Sequence, residues 1–101
     1  MVERRCVFEF GVVYRTPVDQ LESIPAIVRE IVTSLPRTRF DRTHLKALGD
    51  SALEFEVVYT MLTPDHDAYM DVQQSINLAL LRRFQEASID FAYPTRTLHV
   101  V

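Results

Sequence analysis

Residues 39–62 read RFDRTHLKALGDSALEFEVVYTML, and this stretch predicts two antiparallel strands joined by a tight turn. Gly49, Asp50 and Ser51 are typical turn residues, so the strands on either side of them pair as a hairpin. In the second strand every other residue is apolar, whereas the residues between are largely polar or charged. That period of two indicates one buried and one solvated sheet face, so we expect helices on one side only.

Two further strands lie at the ends of the chain. Residues 4–15 read RRCVFEFGVVYR, and their apolar side chains alternate at Cys6, Phe8, Phe10, Val12 and Tyr14. A glycine inside a strand predicts a bulge or a close backbone approach, and Gly11 occupies such a position. The last residues, TRTLHVV, follow Pro94 and predict one more strand, which runs to the C-terminus.

A helix follows the first strand, over residues 16–35. Its apolar residues recur at helical spacing, and Thr16 suits the N-cap with Pro17 at the first helical position. Pro25 lies inside this segment and lacks the N–H that a helix interior needs. We therefore expect either a kink at Pro25 or a new helix that starts near it.

The second helix covers residues 63–89 and is capped by Thr63 or Asp65. The order of elements is strand, helix, hairpin, helix, strand. It predicts an α+β fold of the ferredoxin-like, or split βαβ, arrangement. We expect one domain over residues 1–101, with a core of about residues 4–93 and a terminal strand at 94–101.

Composition narrows the classes of function. The 101 residues carry a formal net charge of -3 and a pI near 5.5, which argues against a nucleic-acid-binding protein. The single Cys6 cannot form an internal disulfide, which fits a reducing compartment. No stretch approaches the roughly 20 apolar residues that cross a bilayer, and no secretory signal begins the chain. We therefore expect a soluble domain.

Motifs for catalysis or cofactor binding are weak. Cys6 alternates with core residues, which predicts a buried, inert thiol. Ser51 belongs to the predicted turn and lacks the Gly-x-Ser-x-Gly pattern of a nucleophile. Glu54 and Glu56 share a strand face that we expect to be solvated, which disfavours acid–base catalysis. With only two glycines there is no phosphate-binding loop, so we expect neither enzyme activity nor a cofactor.

The second helix opens with an acidic cluster, formed by Asp65, His66, Asp67 and Asp71. The spacing matches no zinc or calcium pattern, and helix starts favour these residue types for capping and for the helix dipole. Arg82 and Arg83, late in this helix, suit its negative end, or they line a surface that meets ions or another subunit. No metal site is predicted.

Three segments together resemble one protein family. They are FEFGVVYRTPVDQLESIPAIVREIV (8–32), RFDRTHLKALGDSALEFEVVY (39–59) and YMDVQQSINLALLRRFQEASIDFAYPTRTLHV (69–100). In this order and spacing they resemble the C-terminal cytoplasmic domain of the small-conductance mechanosensitive channel family. The resemblance covers about residues 4–101, and its most specific pieces are GVVYRTP, LGDSALEFEV and IDFAYPTRTL.

The resemblance implies that the chain is a piece of a larger channel, whose pore-forming part lies elsewhere. Family members are homoheptamers, and their cytoplasmic parts form a hollow cage through which ions and small solutes pass. Such channels open under membrane tension and relieve osmotic pressure, from a bacterial-type inner membrane with this domain on the cytoplasmic side. The implied partners are identical subunits and passing solutes, with no nucleic acid and no direct membrane contact.

The resemblance also implies a use for the terminal strand. In the family the last strand leaves its domain after a hinge, here Tyr93 and Pro94, and joins copies from other subunits in a parallel barrel. The residues of this inter-subunit strand would be Thr95, Arg96, Thr97, Leu98, His99, Val100 and Val101. The alternative is a fourth strand that closes the domain's own sheet.

Three functions stay open on the sequence. The first is a cage and assembly domain of a mechanosensitive channel. The second is a free-standing ferredoxin-like module that binds a small ligand and regulates another protein, since one fold hosts many functions. The third is a small enzyme, which the lack of catalytic motifs disfavours.

Overall fold

Three strands and two helices make up the computed structural model, which describes residues 3–92. In chain order the elements are β1 (Arg4–Val12), α1 (Val18–Thr33), β2 (Thr38–Leu48), β3 (Leu53–Met61) and α2 (His66–Glu86). β3 lies between β1 and β2 and is antiparallel to both, so the two outer strands run parallel to each other. This is the predicted split βαβ arrangement, and the α+β fold is confirmed.

One face of the sheet carries the core. The apolar positions of β3, residues 53, 55, 57, 59 and 61, are all at most 5% exposed, as their alternation predicts. The register aligns them with the apolar face of β1, where Phe10 faces Phe55. The helices cover this face with Ile24, Val28, Ile31, Val32, Val72, Ile76, Leu80 and Phe84. Each fully buried side chain of this size contributes about 1.5–3 kcal/mol, so this layer is the main source of stability.

Helix α1 is continuous through Pro25, so the expected new helix start at that residue is wrong. Pro25 offers no N–H to the carbonyl of Leu21, which removes one hydrogen bond of the helix. Ile24 and Val28 flank the proline and are fully buried against the sheet. Their packing compensates for the lost bond, because helix stability in proteins comes mostly from the buried face.

The start of α1 also differs from the prediction. Pro17 occupies the N-cap position, and no side chain caps the helix. Thr16 instead donates its hydroxyl proton to the carbonyl of Val13 at 2.7 Å, within the turn that precedes the helix. The threonine is therefore used for the turn between β1 and α1.

Strand β1 ends at Val12, earlier than predicted, and Tyr14 is not part of the core. The Tyr14 side chain is about half exposed, and its hydroxyl donates to the carbonyl of Gly49 in the hairpin turn. The predicted close approach at Gly11 is confirmed, because a Cβ there would lie 2.9 Å from the Cβ of Ala52.

The hairpin and the cap of α2 agree with the sequence. The N–H of Gly49 donates to the carbonyl of Ala52 at 2.8 Å and closes the turn. Asp65 is the N-cap of α2, and its side chain accepts from the N–H of Asp67 at 3.0 Å. Strand β2 contains two register shifts, between residues 40 and 42 and between 45 and 47, which the sequence did not predict. Neither described helix is both long and apolar enough to cross a bilayer.

Candidate functional site at the chain exit

The residues that the sequence assigns to subunit contact, the hinge Tyr93–Pro94 and the strand 95–101, lie outside the described residues. The structure does describe where the chain arrives before them, at Asp90, Phe91 and Ala92. The surface around this exit is therefore the candidate functional site.

The segment before the exit is bound to the end of β1. Phe91 forms an antiparallel bridge with Val12. On either side of the bridge, the N–H of Ala92 donates to the carbonyl of Gly11 at 2.9 Å, and the N–H of Val13 donates to the carbonyl of Asp90 at 3.1 Å. The chain thus reaches its last described residue in extended form beside β1.

An aromatic cluster holds Phe91 in place. Its ring stacks on Phe84 of α2 with centroids 4.7 Å apart and meets Phe10 of β1 edge-to-face at 5.9 Å. Phe10 in turn stacks on Phe55 of β3 at 5.4 Å. Aromatic pairs of this geometry contribute about 0.5–1.5 kcal/mol each beyond their burial, so both layers of the fold fix the start of the exit.

The turn after α2 directs the chain back to β1. Ser88 has a left-handed backbone with φ of 59°, and the N–H of Ile89 donates to the carbonyl of Phe84 at 2.8 Å. Together with the Ser88 to Gln85 bond at 3.2 Å, this is the Schellman pattern that ends helices. The helix therefore stops at Glu86, short of the predicted Ile89.

Within residues 3–92, the outer backbone edge of strand β1 has no partner beyond the bridge. The peptide groups of a strand point alternately to its two sides, and those of Gly11 and Val13 point away from β3. The same side carries the peptide groups of Arg5, Val7 and Glu9. No strand within residues 3–92 pairs with this part of the edge. An open edge of this kind can accept an added strand.

An apolar groove of about 280 Å³ lies beside this edge, between β1 and α2. We call it the exit groove, and it is lined by Phe8, Glu9, Phe10, Asn77, Leu80, Leu81 and Phe91. Leu81 is 55% exposed although it is apolar. The groove adjoins the last described residues of the chain, because Phe91 forms part of its wall.

The other face of the sheet is charged and crossed by ion pairs. Arg42 Nη2 on β2 lies 2.8 Å from Glu56 Oε1 on β3, and Lys46 Nζ on β2 lies 2.5 Å from Glu9 Oε2 on β1. The hydrogen bond to Glu9 raises the pKa of Lys46. Most of these side chains are substantially exposed, so solvent screens the attraction within each pair.

Asp41 lies at one end of this charged face. Its carboxylate accepts from the Thr60 hydroxyl at 2.7 Å and from Arg39 Nε at 3.3 Å. The hydrogen bond from Thr60, followed by that from Arg39, lowers the pKa of Asp41 below its ordinary value. With Arg5 and Arg42 these groups line a hollow of about 430 Å³, which presents a mixed-charge surface to solvent.

Residues with potentially reactive side chains are part of the packing. Cys6 is buried, as predicted, and burial raises the pKa of its thiol, which keeps it in the less reactive protonated form. Tyr59 is fully buried, burial raises its pKa, and its hydroxyl donates to Gln73 Oε1 at 2.7 Å. Ser51 is exposed within the hairpin turn.

Two charged residues at the ends of α2, Asp65 and Arg83, have structural partners. In residues 3–92 no group of three His, Cys, Asp or Glu side chains is arranged to hold a metal ion. Asp65 serves as the cap, and Arg83 Nη2 lies 3.0 Å from Glu30 Oε1 of α1. Arg83 therefore links the two helices and also lies in the last turn, where a cation suits the helix dipole.

The exit groove and the ion pairs of the outer face were not predicted from the sequence. The alternation of charged positions was visible in β1, β2 and β3 separately. The Lys46–Glu9 pair, however, requires that β1 and β2 flank the same strand. Only the strand order brings these two residues together.

Comparison with known sequences identifies the family. The family described as "Mechanosensitive ion channel MscS, C-terminal" matches residues 6–91. The small-conductance mechanosensitive channel MscMJ of Methanocaldococcus jannaschii is 32% identical over 98 residues, which cover 96% of this chain and 28% of that protein. An uncharacterized MscS family protein of Aquifex aeolicus is 31% identical over 101 residues, which cover 97% of this chain and 27% of that protein. The chain thus spans little more than a quarter of the length of these relatives.

Solved structures of lower identity share the fold. The cryo-EM structure of Arabidopsis thaliana MSL1 has a TM-score of 0.77 and 11% identity, and the likeness covers 91% of this chain and 34% of that chain. The crystal structure of Helicobacter pylori MscS in its closed state has a TM-score of 0.66 and 11% identity, over 100% of this chain and 39% of that chain. The family match over residues 6–91 and this shared fold agree with each other. The chain therefore belongs to the MscS family of mechanosensitive ion channels, and the part of the family that it contains is the C-terminal domain.

Proposed function

We propose that this chain is the cytoplasmic cage and assembly domain of a channel that opens under membrane tension and relieves osmotic pressure. The observation that carries the proposal is the family match over residues 6–91. The domain filters ions and small solutes by size and charge and holds identical subunits together, as one of seven in the full channel. The full protein lies in the inner membrane, with this domain on its cytoplasmic side, and performs no catalysis.

The proposal divides the chain into two parts. About residues 4–93 form the folded unit that makes the wall of the cage. Residues 94–101 form a strand that leaves this unit at the hinge Tyr93–Pro94 and joins copies from neighbouring subunits. In a closed barrel each such strand gains two partners, so no strand edge stays exposed.

The register beside β1 supports an exit at Pro94. Val12 faces Phe91, so a strand that continued along β1 would place Pro94 opposite Glu9. Hydrogen bonds to β1 recur at every second residue, and Ala92 makes one with Gly11. The next donor in that series is the N–H of residue 94, which a proline lacks. Continued pairing with β1 is therefore disfavoured at this residue, which favours a strand that leaves the sheet.

The charged outer face supports a position beside water-filled space. Its side chains of both signs are paired across three strands, as in Arg42 with Glu56 and Lys46 with Glu9. A surface of this kind stays largely solvated, with the half-exposed Val7 as an apolar residue among the charged ones. It suits a wall past which ions and small solutes move.

The first experiment uses the full reading frame that contains this chain. We expect patch-clamp recordings from membranes with the full-length protein to show currents activated by suction. Replacement of residues 94–101 by a flexible Gly-Ser segment of equal length is expected to reduce the amount of intact oligomer on native gels. A reading frame without membrane-spanning segments, or full-length protein without tension-activated current, contradicts the proposal.

A second experiment tests assembly with the chain itself. Sedimentation at increasing concentration is expected to show a species of about seven chains, which disappears when residues 94–101 are removed. A dimer that tightens with a small metabolite would instead indicate the free-standing ligand-binding module.

A further inference from the structure

We propose that the outer edge of β1 pairs with the same edge of a second copy of this chain, so that the two sheets join into one. The contact is two-fold symmetric, with antiparallel strands and with Val7 facing Val7 of the second copy. It goes beyond the proposed function and does not rest on it. Subunits around a ring of seven meet head-to-tail, whereas this contact joins two identical surfaces.

The two outer edges of the sheet differ in their regularity. All 9 residues of β1 pair with β3 in an unbroken register, whereas β2 has two register shifts. Such irregularities bend a strand and hinder the addition of another strand to it. β1 is therefore the edge that can extend the sheet. The bridge between Val12 and Phe91 occupies its far end, which leaves residues 5–9 for the second copy.

The side chains of β1 complement themselves in a register centred on Val7. In this register Arg5 of each copy lies opposite Glu9 of the other. Arg5 is exposed, and no ion pair within residues 3–92 includes it. Glu9 binds Lys46 through its Oε2 atom, so its Oε1 atom can accept from Arg5 of the second copy. Opposite charges that face each other across paired strands stabilise the pairing.

The backbone is in phase for the same register. The peptide groups of Arg5, Val7 and Glu9 point away from β3, as those of Gly11 and Val13 do. Antiparallel strands exchange hydrogen bonds where two facing residues both point their peptide groups into the gap. In the register centred on Val7 each of the three residues faces another of the three, so about six hydrogen bonds form. A shift by one residue would lose them all.

Helix α2 presents an apolar stripe on the side of this edge. Met70 and Leu81 are 50% and 55% exposed, and they share one helix face with Asn77. Asn77 and Leu81 line the exit groove beside β1. The stripe therefore faces the same direction as the outer edge of β1, so that a copy that pairs with the edge also meets the stripe.

The position of α2 gives the two helices room to pack across the two-fold axis. α2 lies over both β1 and β3, because Phe84 contacts Phe10 of β1 and Gln73 accepts from the hydroxyl of Tyr59 of β3. With strands about 4.8 Å apart, two helices placed in this way lie about 10 Å apart, which is close to the usual distance between packed helices. The helix of the second copy then covers Leu81.

Cysteine cross-linking of the full chain tests the symmetry of the contact. In a Cys6→Ala background without the native thiol, Val7→Cys places a thiol beside the two-fold axis. It then faces its own counterpart, with the Cα atoms about 5.5 Å apart, as a disulfide requires. Leu48→Cys is the matched control, because Leu48 is exposed on β2, away from this edge. We expect mild oxidation to link Val7→Cys chains into dimers many-fold faster than Leu48→Cys chains.

Charge reversal tests the register. In the Val7→Cys chain, Arg5→Glu places two carboxylates opposite each other, and Glu9→Arg places two guanidinium groups opposite each other. Each change is expected to slow cross-linking several-fold, and the two changes together should restore the rate. Arg82→Glu is the control, because it changes the net charge as Arg5→Glu does but lies on the side of α2 that faces α1. Circular dichroism checks that every chain stays folded.

Three results would overturn the proposal. They are equal cross-linking rates at positions 7 and 48, a double reversal as slow as the single ones, and an Arg5→Glu effect no larger than that of Arg82→Glu. The first result is also expected if residues 93–101 of the same chain occupy the edge. The cage function is tested separately, by recordings from the full-length protein, so the failure of one proposal does not decide the other.

Discussion

Gly11 and Ala52 lie so close together that a Cβ on Gly11 would come within 2.9 Å of the Cβ of Ala52. Gly11 belongs to β1, and Ala52 directly precedes β3. The carbonyl of Gly11 also accepts the N–H of Ala92 at 2.9 Å. One small residue therefore lets the hairpin close over the end of β1 and lets the exit segment bind there.

Gly11→Ala is expected to destabilise the protein by about 1–3 kcal/mol, because the added methyl group overpacks this contact. Urea denaturation of the two chains measures the difference. Ala52→Gly in the same chain removes the opposing Cβ and should restore part of the loss. A Gly11→Ala chain as stable as the parent would contradict this expectation, because it would mean that Gly11 and Ala52 can move apart without loss of stability.

Ser88→Gly is expected to stabilise the protein by up to about 1 kcal/mol. Ser88 has φ of 59°, a left-handed conformation in which a side chain costs steric energy and glycine does not. The gain is reduced because glycine also increases the conformational entropy of the unfolded chain. Ser75→Gly is the matched control, because Ser75 is exposed in the interior of α2, where glycine should lower stability by about 0.5 kcal/mol. Thermal denaturation compares them, and equal destabilisation by both substitutions would contradict the Schellman geometry.

Thr60→Val should reduce the loss of stability on acidification. The pKa of Asp41 is lowered in the folded protein, chiefly by the hydrogen bond from Thr60. A lowered pKa means that this stability is present above the unfolded value near pH 4 and is lost as pH falls through the folded value. Urea denaturation at about pH 6 and about pH 3 measures the loss. Asp41→Asn should remove the same contribution, and an unchanged pH dependence in both variants would contradict this assignment.

Glu56→Gln is expected to destabilise the protein by about 1 kcal/mol or less at low salt, since it weakens the pair with Arg42. The difference should shrink at about 1 M salt, where the Debye length is only about 3 Å. A double-mutant cycle with Arg42→Gln isolates the coupling between the two side chains. Glu54→Gln, on the same strand, serves as the control, because Glu54 forms no ion pair with another described residue. A coupling energy that does not change with salt would argue against an ion pair.

Local rules account for most of the elements but not for all of their limits. The alternation in β3 and the spacing of apolar residues in α2 predicted these two elements. The sequence offered Thr63 and Asp65 as caps of α2, and Asp65 is the residue that caps it. At Pro25 the local rule predicted a break or a kink, whereas burial of Ile24 and Val28 keeps the helix continuous. The end of α2 was predicted too late, because the left-handed turn at Ser88 depends on where Phe91 must pack.

The sequence by itself determined the order and type of the described elements, the buried faces of β1 and β3, and the family. These follow from local periodicity, capping and turn chemistry, and from motifs that are read along the chain. Only the tertiary structure decided that Lys46 meets Glu9 and that the chain arrives beside Gly11 with an apolar groove ahead of it. Contacts of this kind join residues far apart in the sequence, and they exist only once strand order and register bring those residues together.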